Sequence, residues 1–264
     1  MASWQARIAA AIMRRRIRPA LGDLSDVARV RRVFATALPA PRKGVRYTAA
    51  VVGGIAGEWV ERADTSGGAG ADTGLTVLYL HGGGFVGCSP RTHRPLTATL
   101  ALEGARVFVP DYRLAPEHPF PAALDDVCAA WRALAATPAT HGPAQRLTVA
   151  GDSAGGNLAL ALMLVLRDAG EALPDAAALF SPATDLTGGS ASLRVNDGRD
   201  AMFVGLGLAH LADAYLAGAD PAQPLASPLF GELAGLPPLL IHVGADEVLR
   251  DDSFASPTRR GPPA

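Results

Sequence analysis

The feature that most constrains this chain is a series of short apolar segments without polar alternation, each separated from the next by a helical pattern. Leu75–Leu80, Arg106–Val109, Leu147–Ala150, Ala176–Phe180 and Leu239–Val243 read as strands. Helical patterns cover Pro95–Glu103, Pro121–Ala136 and Ala154–Ala169. A strand covered on both faces reads as a continuous apolar run, and strands joined through helices pair in parallel. The predicted fold class is α/β, with a mostly parallel central sheet flanked by helices.

Outside that rhythm, residues 45–62 read as two strands around Gly53-Gly54, and residues 63–74 as a glycine-rich loop. Residues 1–38 read as two helices, with Pro19 and Gly22 between them. Trp4, Ile8, Ile12 and Ile17 recur near helical spacing, and so do Leu24, Val27, Val30, Val33 and Phe34. Residues 187–217 break the strand–helix alternation. Insertions of this kind often wall a substrate pocket. The expected organisation is an N-terminal helical cap segment at 1–40 and a main domain at 41–264, with a cap insertion at about 187–217.

Composition narrows the function. The net charge is −1, and nucleic-acid binding would need a basic footprint that is absent. Cys88 and Cys128 are the only cysteines. They form neither a disulfide framework nor a zinc site and fit a reducing cytoplasm. The apolar stretch Ile8–Met13 precedes Arg14-Arg15-Arg16, the wrong order for a secretory leader. No apolar run reaches spanning length, so a soluble, cytoplasmic protein without stable membrane insertion is expected. The basic N-terminal helix fits either a membrane surface or a place over the main body, and the second is expected from how helices of soluble proteins usually sit.

The chemistry sits at two glycine-rich turns. Gly151-Asp152-Ser153-Ala154-Gly155 lies between the strand Leu147–Ala150 and a long helix. A Gly-x-Ser-x-Gly turn lifts a serine hydroxyl above a sheet, with glycines where side chains would collide. The helix N-terminus favours negative charge beside that serine. His81-Gly82-Gly83-Gly84-Phe85 directly follows Leu75–Leu80. Consecutive glycines let backbone N–H groups point at a developing oxyanion, so Gly83 and Gly84, with Ala154, are the candidate donors. No Gly-Lys-Ser/Thr ending follows, which argues against a phosphate loop.

With Tyr112–Ala123 (YRLAPEHPFPAA), Gly151–Gly156, Leu236–Leu239 and Gly244–Asp252 (GADEVLRDD) added, the sequence resembles the hormone-sensitive-lipase-like family of bacterial esterases (family IV, GDXG). The likeness runs in order over about residues 75–252. It implies an α/β-hydrolase fold, an N-terminal cap, a small-molecule carboxylic ester as substrate, and no metal or organic cofactor. Asp246, after the strand Leu239–Val243, fits either a helix cap or a triad acid. The resemblance implies the acid, which orients a histidine. The adjacent Glu117 and His118 read as structural, because sequence neighbours rarely converge on one reacting atom.

The family's histidine base is expected after the acid, yet His81, His93, His118, His141, His210 and His242 all precede Asp246. His81 is expected to shape its loop, and His242 to hold a hydrogen-bonded core position. Ser256–Ala264 contains three prolines and no apolar periodicity. These observations lead to the expectation of a truncated or frame-shifted member lacking its last strand and helix. Its open sheet edge would be prone to pair with a second chain as a homodimer. The expected function is a short-acyl esterase acting through Ser153 and an acyl-enzyme. The alternatives are a catalytically impaired homologue serving as a small-molecule binding module, and a non-functional product.

Overall fold

A computed structural model describes residues 3–36, 40–63, 73–137 and 146–253. Part of the expected loop at 63–74, the end of the second N-terminal helix, His141 and the tail at 256–264 lie outside the described residues.

Seven strands among the described residues form one sheet. They are β1 (Val45–Val52), β2 (Ile55–Arg62), β3 (Leu75–Leu80), β4 (Arg106–Pro110), β5 (Arg146–Asp152), β6 (Ala177–Phe180) and β7 (Leu239–His242). Their order is β1-β2-β4-β3-β5-β6-β7. The two-residue connection at Gly53-Gly54 makes β1 and β2 an antiparallel hairpin, and β2 joins β4 antiparallel. From β4 to β7 every neighbour is parallel, with Leu80 beside Gly151 and Phe180 beside His242.

The helices are α1 (Trp4–Ile12), α2 (Arg18–Leu21), α3 (Val27–Thr36), α4 (Arg94–Leu102), α5 (Ala122–Ala136), α6 (Ala154–Asp168), α7 (Ser192–Val195) and α8 (Leu208–Leu216). Strand alternation sorts the core into two sides. Leu78, Leu80, Phe108, Val149 and Leu179 share one core with α5 and α6. Val77, Tyr79, Val107, Val109 and Ala150 share the other with Ala101 of α4. Helix α6 buries residues all round, from Ala154 to Leu166, as a central helix must.

The N-terminal segment differs from expectation in one respect. Pro19 does not divide two helices. It sits at the second position of α2, and α1 runs into α2 through a wide turn at Met13–Ile17 whose last bond is Arg18 N–H to Met13 O. The break falls at Gly22, with φ 69°. The stretch expected to be irregular at 187–217 contains α7 and α8.

Candidate active site

Ser153 stands at the junction of β5 and α6 with φ 51° and ψ −117°. A non-glycine residue with positive φ is strained and persists only where its surroundings fix it. Here the fixing contacts are visible. Ser153 N–H donates to Phe180 O at 2.9 Å, while Ser153 O accepts from Asn157 N–H and Ala183 N–H, both at 3.1 Å. A Cβ on Gly155 would stand 2.0 Å from Leu80 O, so only glycine lets α6 start this close to β3. The turn aims the Ser153 side chain into a pocket of about 650 Å³, part of it open to solvent.

That pocket is apolar. Phe85, Leu186, Leu193, Leu206, Leu208 and Leu211 line it together with Ser153 and Ala154. From the stretch 187–217, Gly188, Leu193, Gly205, Leu206, Leu208, Ala209, Leu211 and Ala212 border this pocket. The N-terminal helices do not reach the lining. They brace the loop behind it, where Arg31 donates to Val86 O at 2.6 Å and to Ala115 O at 2.8 Å.

The loop after β3 is a tight turn. Val86 N–H and Gly87 N–H close onto Gly83 O at 3.2 and 3.0 Å. Gly83 has φ 119°, and a Cβ there would lie 2.3 Å from Gly87 O. The first N–H of the glycine run is occupied, since Gly82 N–H donates to Asp152 Oδ1 at 3.0 Å. The N–H groups of Gly83 and Gly84 have no acceptor among the described residues. Ala154, at the first position of α6, has no partner within the helix. Gly84, Ser153 and Ala154 all border the pocket.

Asp152 is the residue whose part in this arrangement the sequence did not disclose. Besides Gly82, it accepts from Tyr79 Oη at 2.7 Å and meets His93 Nε2 at 3.2 Å. Burial opposes ionisation of Asp152, but the His93 hydrogen bond and charge, with the Tyr79 bond, outweigh it and hold its carboxyl below the usual range. Burial likewise opposes a charged His93, and Asp152 overcomes it, lifting His93 above its ordinary value. The one available signal was Tyr79, a phenol in a strand that is apolar apart from Thr76.

His81 is fully buried and stacks on Tyr112 at 4.2 Å. Burial, reinforced by the nearby charge of His93, pushes it down to about 3, so it stays neutral. Its carbonyl accepts from Tyr112 Oη at 2.5 Å. The proline-rich segment 112–123 therefore buttresses the glycine loop. Glu117 pairs with Arg31 on the surface, in keeping with its structural reading.

Asp246 lies in the turn after β7, exposed and outside the pocket lining. The turn is closed by its neighbour, as Gly244 N–H donates to Glu247 Oε1 at 2.7 Å. Asp246 has no hydrogen bond or ion pair among the described residues, and neither does Ser153 Oγ. His242 corrects an expectation: it is exposed on β7, the last strand of the described sheet, and its carbonyl accepts from Ser181 N–H at 2.8 Å. Strand β7 pairs only with β6 there, so one edge of the ladder leaves that side chain uncovered.

A mostly parallel sheet, a strained serine turn between strand and helix at the C-terminal strand ends, and a glycine loop beside it define an α/β-hydrolase fold. The comparisons agree. Residues 77–259 match the family described as alpha/beta hydrolase fold. An acetyl-hydrolase of Streptomyces hygroscopicus is 46% identical over 205 residues, covering 77% of this chain and 65% of that protein. The chain thus spans somewhat less than two thirds of that relative's length. An esterase from the bacterial hormone-sensitive lipase family superposes with a TM-score of 0.84 at 36% identity, covering 98% of this chain and 84% of that one. EstE5, soaked in ethyl alcohol, superposes at 0.87 with 38% identity and the same coverage. The chain belongs to the α/β-hydrolase family, on its hormone-sensitive-lipase-like branch.

Proposed function

We propose that the chain is a carboxylic ester hydrolase for short-acyl substrates, with Ser153 as nucleophile. The observation that carries this reading is the placement of the Ser153 turn beside unengaged N–H groups at one end of an apolar pocket. Ser153 Oγ attacks the ester carbonyl carbon, and the carbonyl oxygen gains the negative charge. The N–H groups of Gly83, Gly84 and Ala154 stabilise that charge. Collapse expels the alcohol and leaves an acyl group on Ser153, which water then removes. Asp246 takes the place of the acid that would hold the family's histidine, and no histidine follows it in this sequence. Residues 1–40 and about 187–217 act together as the cap, the latter setting acyl size through Leu193, Leu206 and Leu208. The name of the Streptomyces relative favours acetyl esters.

The hydroxyl proton needs an acceptor, and none of the described histidines is hydrogen-bonded to Ser153 Oγ. For this 264-residue chain we therefore expect slow turnover of p-nitrophenyl acetate that rises with pH, as hydroxide takes the proton. Loss of a triad member typically lowers the rate by about 10⁴-fold or more while leaving catalysis above water. Ser153→Ala should abolish the residual rate. Hydrolysis unchanged by that substitution would contradict the proposal. The unpartnered hydroxyl also favours a second reading, a binding module, for which saturable ligand stabilisation with no Ser153-dependent turnover would be the result.

A further inference from the structure

Helix α1 turns its apolar side away from the body. Trp4, Ile8 and Ile12 recur every fourth residue, so at ~100° per residue they lie within about 80° of one another. They are 68%, 51% and 51% exposed. The half-buried Ala10 and Met13 fall on roughly the opposite side, and α1 buries no residue at all. A helix resting on a soluble body normally does the reverse, with its apolar stripe inward.

The charge around this stripe is one-sided. Residues 1–22 contain Arg7, Arg14, Arg15, Arg16 and Arg18 but no Asp or Glu, in a chain whose net charge is −1. Arg14 donates to Arg199 O, and Arg18 donates to Asp200 O at 2.7 Å and faces Asp197 at 3.5 Å. These contacts fasten the segment to the insertion that lines the pocket. Arg7, Arg15 and Arg16 are exposed and have no side-chain partner among the described residues.

We propose that α1 docks on an anionic phospholipid surface, with Trp4, Ile8 and Ile12 entering the headgroup boundary and Arg7, Arg15 and Arg16 meeting lipid phosphates. An exposed apolar stripe flanked by arginines and carrying a tryptophan is the pattern of an interfacial helix. A second copy of the chain is a poorer occupant, because it would set two acid-free, arginine-rich segments against each other. Docking holds the pocket near the membrane, since this segment is fastened to the insertion and α3, which follows it, braces the glycine loop through Arg31.

The test is vesicle flotation of the Ser153→Ala chain, so that binding is read independently of hydrolysis. Vesicles of phosphatidylcholine alone are compared with an equimolar mixture with phosphatidylglycerol. The expected result is at least tenfold stronger partition onto the mixed vesicles, weakening as salt is raised. The triple change Arg7→Gln, Arg15→Gln and Arg16→Gln should reduce it on the order of a hundredfold. Ile8→Ser with Ile12→Ser should reduce it at least tenfold. These positions lie on the exposed side of α1 and outside the core, so circular dichroism should stay unchanged and Tm should move by no more than a few degrees. Three results overturn the proposal: no partition onto either vesicle, partition insensitive to salt, or partition insensitive to the isoleucine changes. A dimer in solution that Ile8→Ser with Ile12→Ser dissolves would also overturn it, assigning the stripe to a second copy.

Discussion

At the scale of single residues, the pair His93–Asp152 is the hinge of the account. Asp152 adjoins Ser153 in sequence, and its carboxylate holds Gly82 N–H, fixing the start of the loop that carries Gly83 and Gly84. Asp152→Asn retains the shape but turns an amide N–H₂ toward a donor and removes the charge facing His93. Breaking this partly buried, charge-assisted pair is expected to cost about 2 kcal/mol, measurable by urea unfolding, with a fall in any Ser153-dependent rate. The sign with pH follows from the two shifts. His93 is raised in the folded state, so its contribution is complete below its unfolded value near ~6.5 and fades as pH rises through its folded value. Asp152 is lowered, so its contribution holds above ~3.8 and fades as pH falls through its folded value. The difference in stability between the parent chain and Asp152→Asn should therefore be largest at about pH 4–6.5.

A fully buried carboxylate behaves the opposite way. Asp252 accepts from Thr184 N–H at 2.9 Å, Asp185 N–H at 3.0 Å and Ser190 Oγ. Burial is the largest influence and raises it to about 6, against the hydrogen bonds that favour its charge. The folded state then holds a proton that the unfolded chain has released, so stability declines as pH rises from about 4 to 6, by roughly 3 kcal/mol. Asp252→Asn keeps an acceptor for the two N–H groups, with the Ser190 hydroxyl turned to accept. The variant should flatten Tm against pH over that window. An unchanged slope would contradict the assignment of the effect to Asp252.

At the scale of elements, the strand β5, its turn and helix α6 form the unit on which the site depends. Gly155→Ala places a methyl 2.0 Å from Leu80 O, where backbone rather than a flexible side chain must move. Loss of the folded state, or a severe drop in Tm, is expected by circular dichroism. Leu162 in the middle of α6 is fully buried, so Leu162→Ala should cost about 2–5 kcal/mol while leaving the Ser153 turn in place. The contrast separates packing from geometry: the leucine variant should retain its pocket and the glycine variant should not.

At the scale of the whole molecule, the sheet was legible because its strands are covered on both faces. Leu75–Leu80 and Leu147–Ala150 announce that burial directly, and β3 begins and ends where the pattern placed it. The turn at Ser153 and the glycine loop were legible as backbone features because their glycines answer to steric needs that are local in sequence. The His93–Asp152–Tyr79 cluster was not, because it joins residues on three separate elements that meet only through β3, β5 and the loop before α4. His242 was misplaced for a related reason: a strand pattern gives alternation but not which strand ends the sheet. The fate of Pro19 turned on a wide helical turn with no marker in composition. The likeness to solved hydrolases over 98% of the chain makes the fold firm, and it leaves the chemistry of Ser153 as the claim to test.

That claim is tested most directly by mass spectrometry of the intact chain after brief exposure to p-nitrophenyl acetate, followed by peptide mapping. Attack by Ser153 with slow deacylation should leave one acetyl group per chain, located on the peptide bearing Ser153 and absent from Ser153→Ala. Release of p-nitrophenol with no adduct on that peptide in either form, or an adduct that persists in Ser153→Ala, would contradict the account.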